Sequence, residues 1–267
     1  MTTPDRDVEL LDLGRRLFEA EAERRPIPPI SIGRHWLGAA EAYRIQQEIV
    51  RRHLAVGHRI VGWKVGLTSA AMQRQLGVDQ PDYGPILSGF LVADRGEIRV
   101  ADLIAPRIEA EIAFILRAPL RGPGVTVDDV RRATEAVAPA LEVIDSRIED
   151  WKLTLVDTVA DLASSARIVL GGPVPLDDLD LAAVHVRLER DGDTVSTGIG
   201  GAALGDPAAA VAWAANKLAE FGATMEAGHV IMPGALHSSV PVAAGEAYTA
   251  VFDELGSVGV RFVGGAR

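Results

Sequence analysis

The chain contains no cysteine, which excludes disulfides, thiolate catalysis and iron–sulfur clusters. It has no run of five or six basic residues, and its formal net charge is −10. Both features count against nucleic acid as a partner. The six histidines, at 35, 53, 58, 185, 229 and 237, include no H-x-x-x-H pair, which counts against a zinc site. G-x-G-x-x-G and G-x-S-x-G are both absent. GIGG at 198–201 is therefore only faintly like a dinucleotide loop, and LHSSV at 236–240 offers His and Ser without a nucleophile elbow. The most apolar helical run, AAAVAWAA at 208–215, is too short to span a bilayer. The polar, acidic start MTTPDRDVEL has no apolar signal-peptide core. A cytoplasmic protein without a membrane partner is the expectation. No internal repeat or low-complexity tract occurs.

What the chain does have is length for a real core. Its 267 residues suit one large domain or a domain with an appendage. Apolar spacing predicts helices over 8–23 and 39–54, separated by the prolines at 26, 28 and 29. Short β-branched runs then predict strands over 60–65, 97–100, 108–116, 138–145, 167–170, 184–190, 229–232, 248–252 and 258–263. Asp191-Gly192 reads as a hairpin turn. Two helices interrupt the strands: 127–137 after Thr126 as N-cap, and 206–221 beginning Asp206-Pro207. Strands in clusters with helices set apart predict an α+β fold, with an N-terminal helical segment (1–56) and a strand-rich remainder (57–267).

Three glutamates stand out. Glu109 and Glu111 in PRIEAEIAFIL are two apart, so on a strand they share a face, with stems roughly 6–7 Å apart. The next positions on that face are Ala113 and Ile115, and Glu142 in VAPALEVIDSR lies between Ala140 and Ile144. Solvated surface glutamates would not sit in faces this apolar, and a buried carboxylate needs a partner or a metal. Hard oxygen donors without His or Cys suit Mg²⁺, Mn²⁺ or Ca²⁺.

Other candidates are weaker alone. Lys64 in RIVGWKVGLTS shares a strand face with Gly62 and Gly66, which suggests close approach of a ligand or another backbone; a snorkelling surface lysine is the commoner case. Asp82 lies in QPDYGPI, which reads as a turn with an Asx-turn aspartate. Asp145 and Arg147 could orient a metal ligand or pair with each other. Ser164 and Ser165 in DLASSARIVLGG could bond a carboxylate or cap a helix.

Taken in order, GWKVGLTSAAMQRQLGVDQPDYGPIL, PRIEAEIAFIL, APALEVIDSRIEDW, DTVADLASSARIVLGG, LGDPAAAVAWAANKLAEFG and MPGALHSSVPVAAGE resemble the 2-keto-4-pentenoate hydratases of the fumarylacetoacetate hydrolase superfamily, over about residues 40–263. The resemblance implies a mixed β-roll and a metal-dependent hydratase of aromatic meta-cleavage catabolism. It also implies Mg²⁺ or Mn²⁺ on Glu109, Glu111 and Glu142, and proton handling by Lys64 and Asp82. Ser164 and Ser165 become substrate contacts. The substrate is a small anionic 2-oxo or 2-hydroxy acid. Relatives form ring-like homo-oligomers, so a homo-oligomer is expected, and association with a sister pathway enzyme belongs to the same picture. Where relatives usually have Asn in DNASS, this chain has Leu162, which puts a polar contact there in question. The same branch includes 4-oxalocrotonate decarboxylases; the intact PDYG around Asp82 is closer to the hydratases. A C–C hydrolase would need a His–Glu pair, for which His35 and Glu41 are the candidates. A non-catalytic partner subunit would have no need of the intact charged cluster.

Overall fold

The amphipathic start and the strand-rich remainder of the sequence become separate layers in the computed structural model, which describes residues 3–69, 73, 78 and 80–265. Part of the first motif, residues 70–72, 74–77 and 79, lies outside the described residues. α1 (Thr3–Glu23) and α2 (Ala39–Ala55) pack on each other. Leu10, Leu13 and Leu17 make the buried stripe of α1, at spacings that stay on one helical face. From α2, Gln46 Nε2 donates to the carbonyls of Tyr83 and Val159 at 2.9 and 2.7 Å. These buried bonds join the helical segment to the rest of the molecule. No helix among the described residues is long and apolar enough to cross a membrane.

The strands in chain order are β1 (Ile60–Gly66), β2 (Asp82–Leu87), β3 (Leu91–Val92), β4 (Gly96–Arg99), β5 (Arg107–Leu116), β6 (Thr134–Ile144), β7 (Ser165–Leu170), β8 (Val174–Pro175), β9 (His185–Arg190), β10 (Asp193–Ile199), β11 (Val230–Met232), β12 (Val240–Pro241), β13 (Ala247–Phe252) and β14 (Gly256–Val263). A nine-stranded sheet runs β2-β1-β11-β5-β6-β7-β3, with β12 paired to β5 and β8 to β6. A five-stranded sheet runs β10-β9-β13-β14-β4. Both are mixed: β1–β11, β3–β7 and β14–β4 are parallel, and the long β5–β6 pair is antiparallel. The α+β, mixed-roll expectation holds.

The large sheet has two different faces. On β5, the even positions Ile108, Ala110, Ile112 and Phe114 are fully buried in the main core. The odd positions face the other way, where Ile86, Ala113, Ala140, Ile168, Val230 and Met232 form a smaller apolar floor. Glu109, Glu111 and Glu142 fall on that second face by strand alternation.

Four sequence expectations need correction. PDYG is not a turn: Asp82 begins β2. Pro85 is tolerated because β2 is an edge strand of its sheet. The helix expected over 127–137 stops earlier, as α3 (Val127–Ala133), and Thr134 opens β6. Pro139 cannot extend a helix, and pairing with β5 takes the intervening residues into the sheet. A short helix, α4 (Leu155–Ala160), was not anticipated; it starts on a Thr154–Asp157 capping box. Strand β10 was also missed, although the Asp191-Gly192 turn that leads into it has the left-handed backbone a tight hairpin requires, with φ 52° and 95°. The last helix, α5 (Pro207–Ala219), has its Asp206 cap: Oδ1 accepts from the Ala208 N–H at 2.8 Å.

Candidate active site

Glu109 and Glu142 are direct cross-strand partners, and Glu111 is the next residue on the same face. One oxygen from each of the three carboxylates lies within 4.8 Å of the others. Among the described residues Glu111 Oε1 and both oxygens of Glu142 are buried without a hydrogen-bond donor. Glu111 Oε2 accepts from the Gly234 N–H at 2.8 Å.

Lys64 reaches this cluster from β1. Its Nζ lies 3.3 Å from Glu142 Oε2 and donates to the Ala163 carbonyl at 2.9 Å. The two glycines beside it meet different needs. A Cβ at Gly62 would sit 1.8 Å from the Val230 carbonyl oxygen, so there the constraint is a neighbouring backbone. A Cβ at Gly66 would sit 2.2 Å from Asp82 Oδ1, so there the glycine makes room for the carboxylate. Asp82 is buried; its Oδ2 accepts from Thr158 Oγ1 at 2.9 Å, and its Oδ1 has no partner among the described residues. A cavity of about 540 Å³ opens over this group, bordered by Lys64, Asp82, Glu109 and Glu111, with Arg107 and Trp151 also lining it.

The acids at this site outnumber the basic groups. Glu109, Glu111, Glu142 and Asp82 face Lys64, and Arg107 is only partly buried. Burial, then the Glu142 charge, pushes the Glu109 carboxyl up to about 7. Glu111 is raised well above the usual range by burial and by its two glutamate neighbours. Burial alone would lower Lys64, but the charges of Glu142, Asp82, Glu109 and Glu111 outweigh it and the net shift is upward. Asp82 is raised by burial, with Lys64 and the Thr158 bond opposing. Donor-free oxygens converging in a site with excess negative charge fit a small divalent cation held by Glu109, Glu111 and Glu142.

The model of the family described as "Fumarylacetoacetate (FAA) hydrolase C-terminal" matches residues 64–263. The chain belongs to the fumarylacetoacetate hydrolase family. It is 43% identical to a 4-oxalocrotonate decarboxylase of Pseudomonas sp. (strain CF600) over 256 residues, 96% of this chain and 97% of that protein. It is 43% identical to a 2-keto-4-pentenoate hydratase of Burkholderia vietnamiensis (strain G4 / LMG 22486) over 257 residues, covering 96% and 98%. Among solved structures, a 4-oxalocrotonate decarboxylase from Pseudomonas putida G7, complexed with magnesium and adipate, superposes with a TM-score of 0.94 at 41% identity, covering 98% of this chain and 99% of that one.

Within this member of the fumarylacetoacetate hydrolase family, the segment after α4 is built to present a carbonyl. Leu162, Ala163 and Ser164 are all left-handed, with φ of 57°, 50° and 56°, a conformation costing on the order of 1–2 kcal/mol per non-glycine residue. Asp161 helps hold it. Its Oδ2 accepts from Ser164 Oγ at 3.2 Å and Ser146 Oγ at 3.0 Å, and the Asp145 N–H donates to the Ser164 carbonyl at 2.8 Å. The result aims the Ala163 carbonyl at Lys64. Ser164 borders the cavity; Ser165 does not, and its buried Oγ has no partner among the described residues. Leu162 is fully buried in the main core, so its side chain takes no place on the cavity wall.

Arg147 and Asp145 serve the framework. Arg147 Nη2 donates to Glu21 of α1 at 2.8 Å and to the Ser165 carbonyl at 2.8 Å, while Asp145 accepts from the Ile104 and Ala105 N–H groups. His35 is exposed and Glu41 accepts from the Gly38 N–H at the start of α2; neither borders the cavity, so the proposed hydrolytic pair is not assembled. His237 does border it, but Nε2 accepts from the Ala110 N–H at 3.1 Å and Nδ1 bonds the Ser238 carbonyl at 2.8 Å. Both ring nitrogens are used by backbone. Arg107, Thr158 and Trp151 were not singled out in the sequence as site residues; only their tertiary partners reveal them.

The raised carboxyls make cation binding proton-linked. A folded-state pKa above the unfolded value means that the metal-free fold holds extra protons between about pH 4 and 7, and that this contribution to stability is lost as pH rises through 7. The melting-temperature gain from saturating Mg²⁺ is therefore expected to grow from pH 5.5 to 7.5. Thermal scans with Mg²⁺ and with chelator across this range check it. A gain independent of pH would mean these carboxylates do not exchange protons for the cation.

Proposed function

We propose that this chain is a divalent-metal-dependent hydratase that converts a 2-hydroxy-2,4-dienoate into a 4-hydroxy-2-oxo acid. The observation that carries the reading is the convergence of Glu109, Glu111 and Glu142, with buried Lys64 against Glu142, at a cavity that Lys64, Asp82, Glu109 and Glu111 border. Bound there, a divalent cation supplies Lewis-acid polarisation of the substrate's 2-oxygen. The side chains supply the rest. The dienol gives up its hydroxyl proton and C5 gains one, leaving a conjugated 2-oxo-3-enoate. Water oxygen then bonds to C4 while a proton reaches C3. Both transfers need a positioned acid–base group, worth roughly 10²–10⁴ in rate each. Lys64 Nζ holds a proton among carboxylates, and Asp82 Oδ1, without a partner among the described residues, offers the second exchange point. Thr158 fixes the Asp82 rotamer through Oδ2. The division into a helical segment, 1–56, and a catalytic part, 57–267, belongs to the same proposal.

A decarboxylase is the second reading, favoured by the identity to 4-oxalocrotonate decarboxylases. Loss of carbon dioxide needs one proton transfer where hydration needs two, and the presence of two buried proton-handling groups supports hydration. Product analysis with 2-hydroxypenta-2,4-dienoate and 4-oxalocrotonate, each with and without Mg²⁺, tests it. The dienoate's ultraviolet absorbance is expected to fall, only with metal and without carbon dioxide. Stoichiometric carbon dioxide from 4-oxalocrotonate, with the dienoate untouched, would establish the decarboxylase instead.

A further inference from the structure

On the active face of β5 the residues run Arg107, Glu109, Glu111, Ala113. Strand register fixes what lies at each end. Lys64 pairs with Met232 on β11, and β11 pairs with β5 at Ile231–Phe114, so the Lys64 backbone lies at the level of Ala113. Arg107 is at the opposite end, paired with Ile144 on β6 and Pro241 on β12. The Lys64 backbone and Arg107 therefore lie at opposite ends of this face, and Lys64 Nζ reaches back to within 3.3 Å of Glu142 Oε2, the partner of Glu109 across the strands.

The Arg107 guanidinium is pre-set. Nε donates to Ser239 Oγ at 2.7 Å and Nη2 to the Ser239 carbonyl at 3.2 Å, and the group lies 5.9 Å from the centre of the Trp151 ring. Trp151 is itself tied by Nε1–H to the Ala105 carbonyl at 3.1 Å. Nη1 has no partner among the described residues, and Arg107, Trp151 and Ser239 all border the cavity. An arginine held on one edge with its other edge open suits a carboxylate.

Resting on the hydratase reading, we propose that Arg107 clamps the C1 carboxylate of the 2-oxo acid and so sets the substrate's direction in the site. The reacting carbons, C3 to C5, must lie near Lys64 and Asp82, because those groups exchange the protons. The 2-oxygen belongs at the three glutamates. C1 then falls on the remaining side, that of Arg107. The clamp reads a feature shared by 2-oxo acids and is indifferent to the substituent at C5.

Calorimetric titration of the Mg²⁺-loaded protein with pyruvate and with 2-oxoglutarate separates this from a clamp on a distal carboxylate. In Arg107→Gln both affinities are expected to fall by the same factor, roughly 10- to 100-fold, as for loss of a charge-assisted hydrogen bond. Ser239→Ala, which only frees one edge of the guanidinium, gives a smaller loss in the same sense. Unchanged pyruvate affinity would overturn the proposal, and so would a loss confined to 2-oxoglutarate. Mg²⁺ titration without organic ligand is the control: a matching fall in Mg²⁺ affinity would place the effect at the metal site and overturn the clamp. Neither ligand needs turnover, so a failed hydration assay leaves this result standing, and the reverse also holds.

Discussion

Lys64→Met is expected to leave a folded, Mg²⁺-binding protein whose turnover of the dienoate has fallen by about 10²–10⁴, the usual worth of one acid–base group. Methionine keeps the length and apolar stem of lysine and removes only the ammonium. Three consequences follow from the geometry. Glu142 loses its buried ion pair at 3.3 Å. Leaving a buried charge unpaired costs on the order of 3–5 kcal/mol, so in chelator the variant melts lower than the parent or its glutamates take up a proton. In Mg²⁺ the carboxylates are compensated by the cation, and most of that difference disappears. Lys64→Arg is not expected to restore activity, since a planar guanidinium that stays protonated cannot replace an ammonium that exchanges its proton. The decisive comparison is turnover in saturating Mg²⁺ against melting temperature in chelator. Near-normal turnover with a lowered melting temperature in chelator would reduce Lys64 to a counter-ion that keeps the acids together.

The three-glutamate cluster was legible in the sequence because its signal is local. Glu109 and Glu111 obey strand alternation within one ten-residue strand, and their apolar flanks mark them as withdrawn from solvent, Glu109 half-buried and Glu111 buried. Glu142 was legible for the same reason, although only the β5–β6 register places it opposite Glu109. Lys64 stood out through its glycines, and the structure separates their causes: a backbone at Gly62, a carboxylate at Gly66. The parts that were not legible depend on distant partners. Thr158 lies 76 residues from Asp82, and Ser239 lies 132 residues from Arg107. No periodicity joins such pairs. The left-handed turn at Leu162–Ser164 was hidden because none of its residues is a glycine, the usual mark of positive φ. PDYG misled because proline and glycine signal a turn in isolation, whereas an edge strand accommodates both. The fold class survived these errors since it depends on the grouping of strands and helices, which a few shifted boundaries do not change.

Glu111→Gln is expected to separate a metal site from a merely buried acid cluster. The substitution is isosteric, and the amide oxygen can still accept from the Gly234 N–H that Glu111 Oε2 meets at 2.8 Å. It removes a charge that burial and two neighbouring glutamates already disfavour. In chelator the variant should therefore melt at or above the parent's temperature. Mg²⁺ binding should move the other way, weakening at least on the order of 100-fold, because loss of a direct ligand exceeds the 10–100-fold cost of losing an outer partner. Turnover at fixed, low Mg²⁺ should fall with it, by several kcal/mol of lost charge stabilisation, or roughly three orders of magnitude. The opposing signs are the test. If Glu111 served only to pair charge within the fold, Glu111→Gln would destabilise the metal-free protein and leave the Mg²⁺ response unchanged. Calorimetric titration with Mg²⁺ and thermal scans in chelator, run on the same preparations, read both signs, and the second pattern would sink the three-carboxylate metal site.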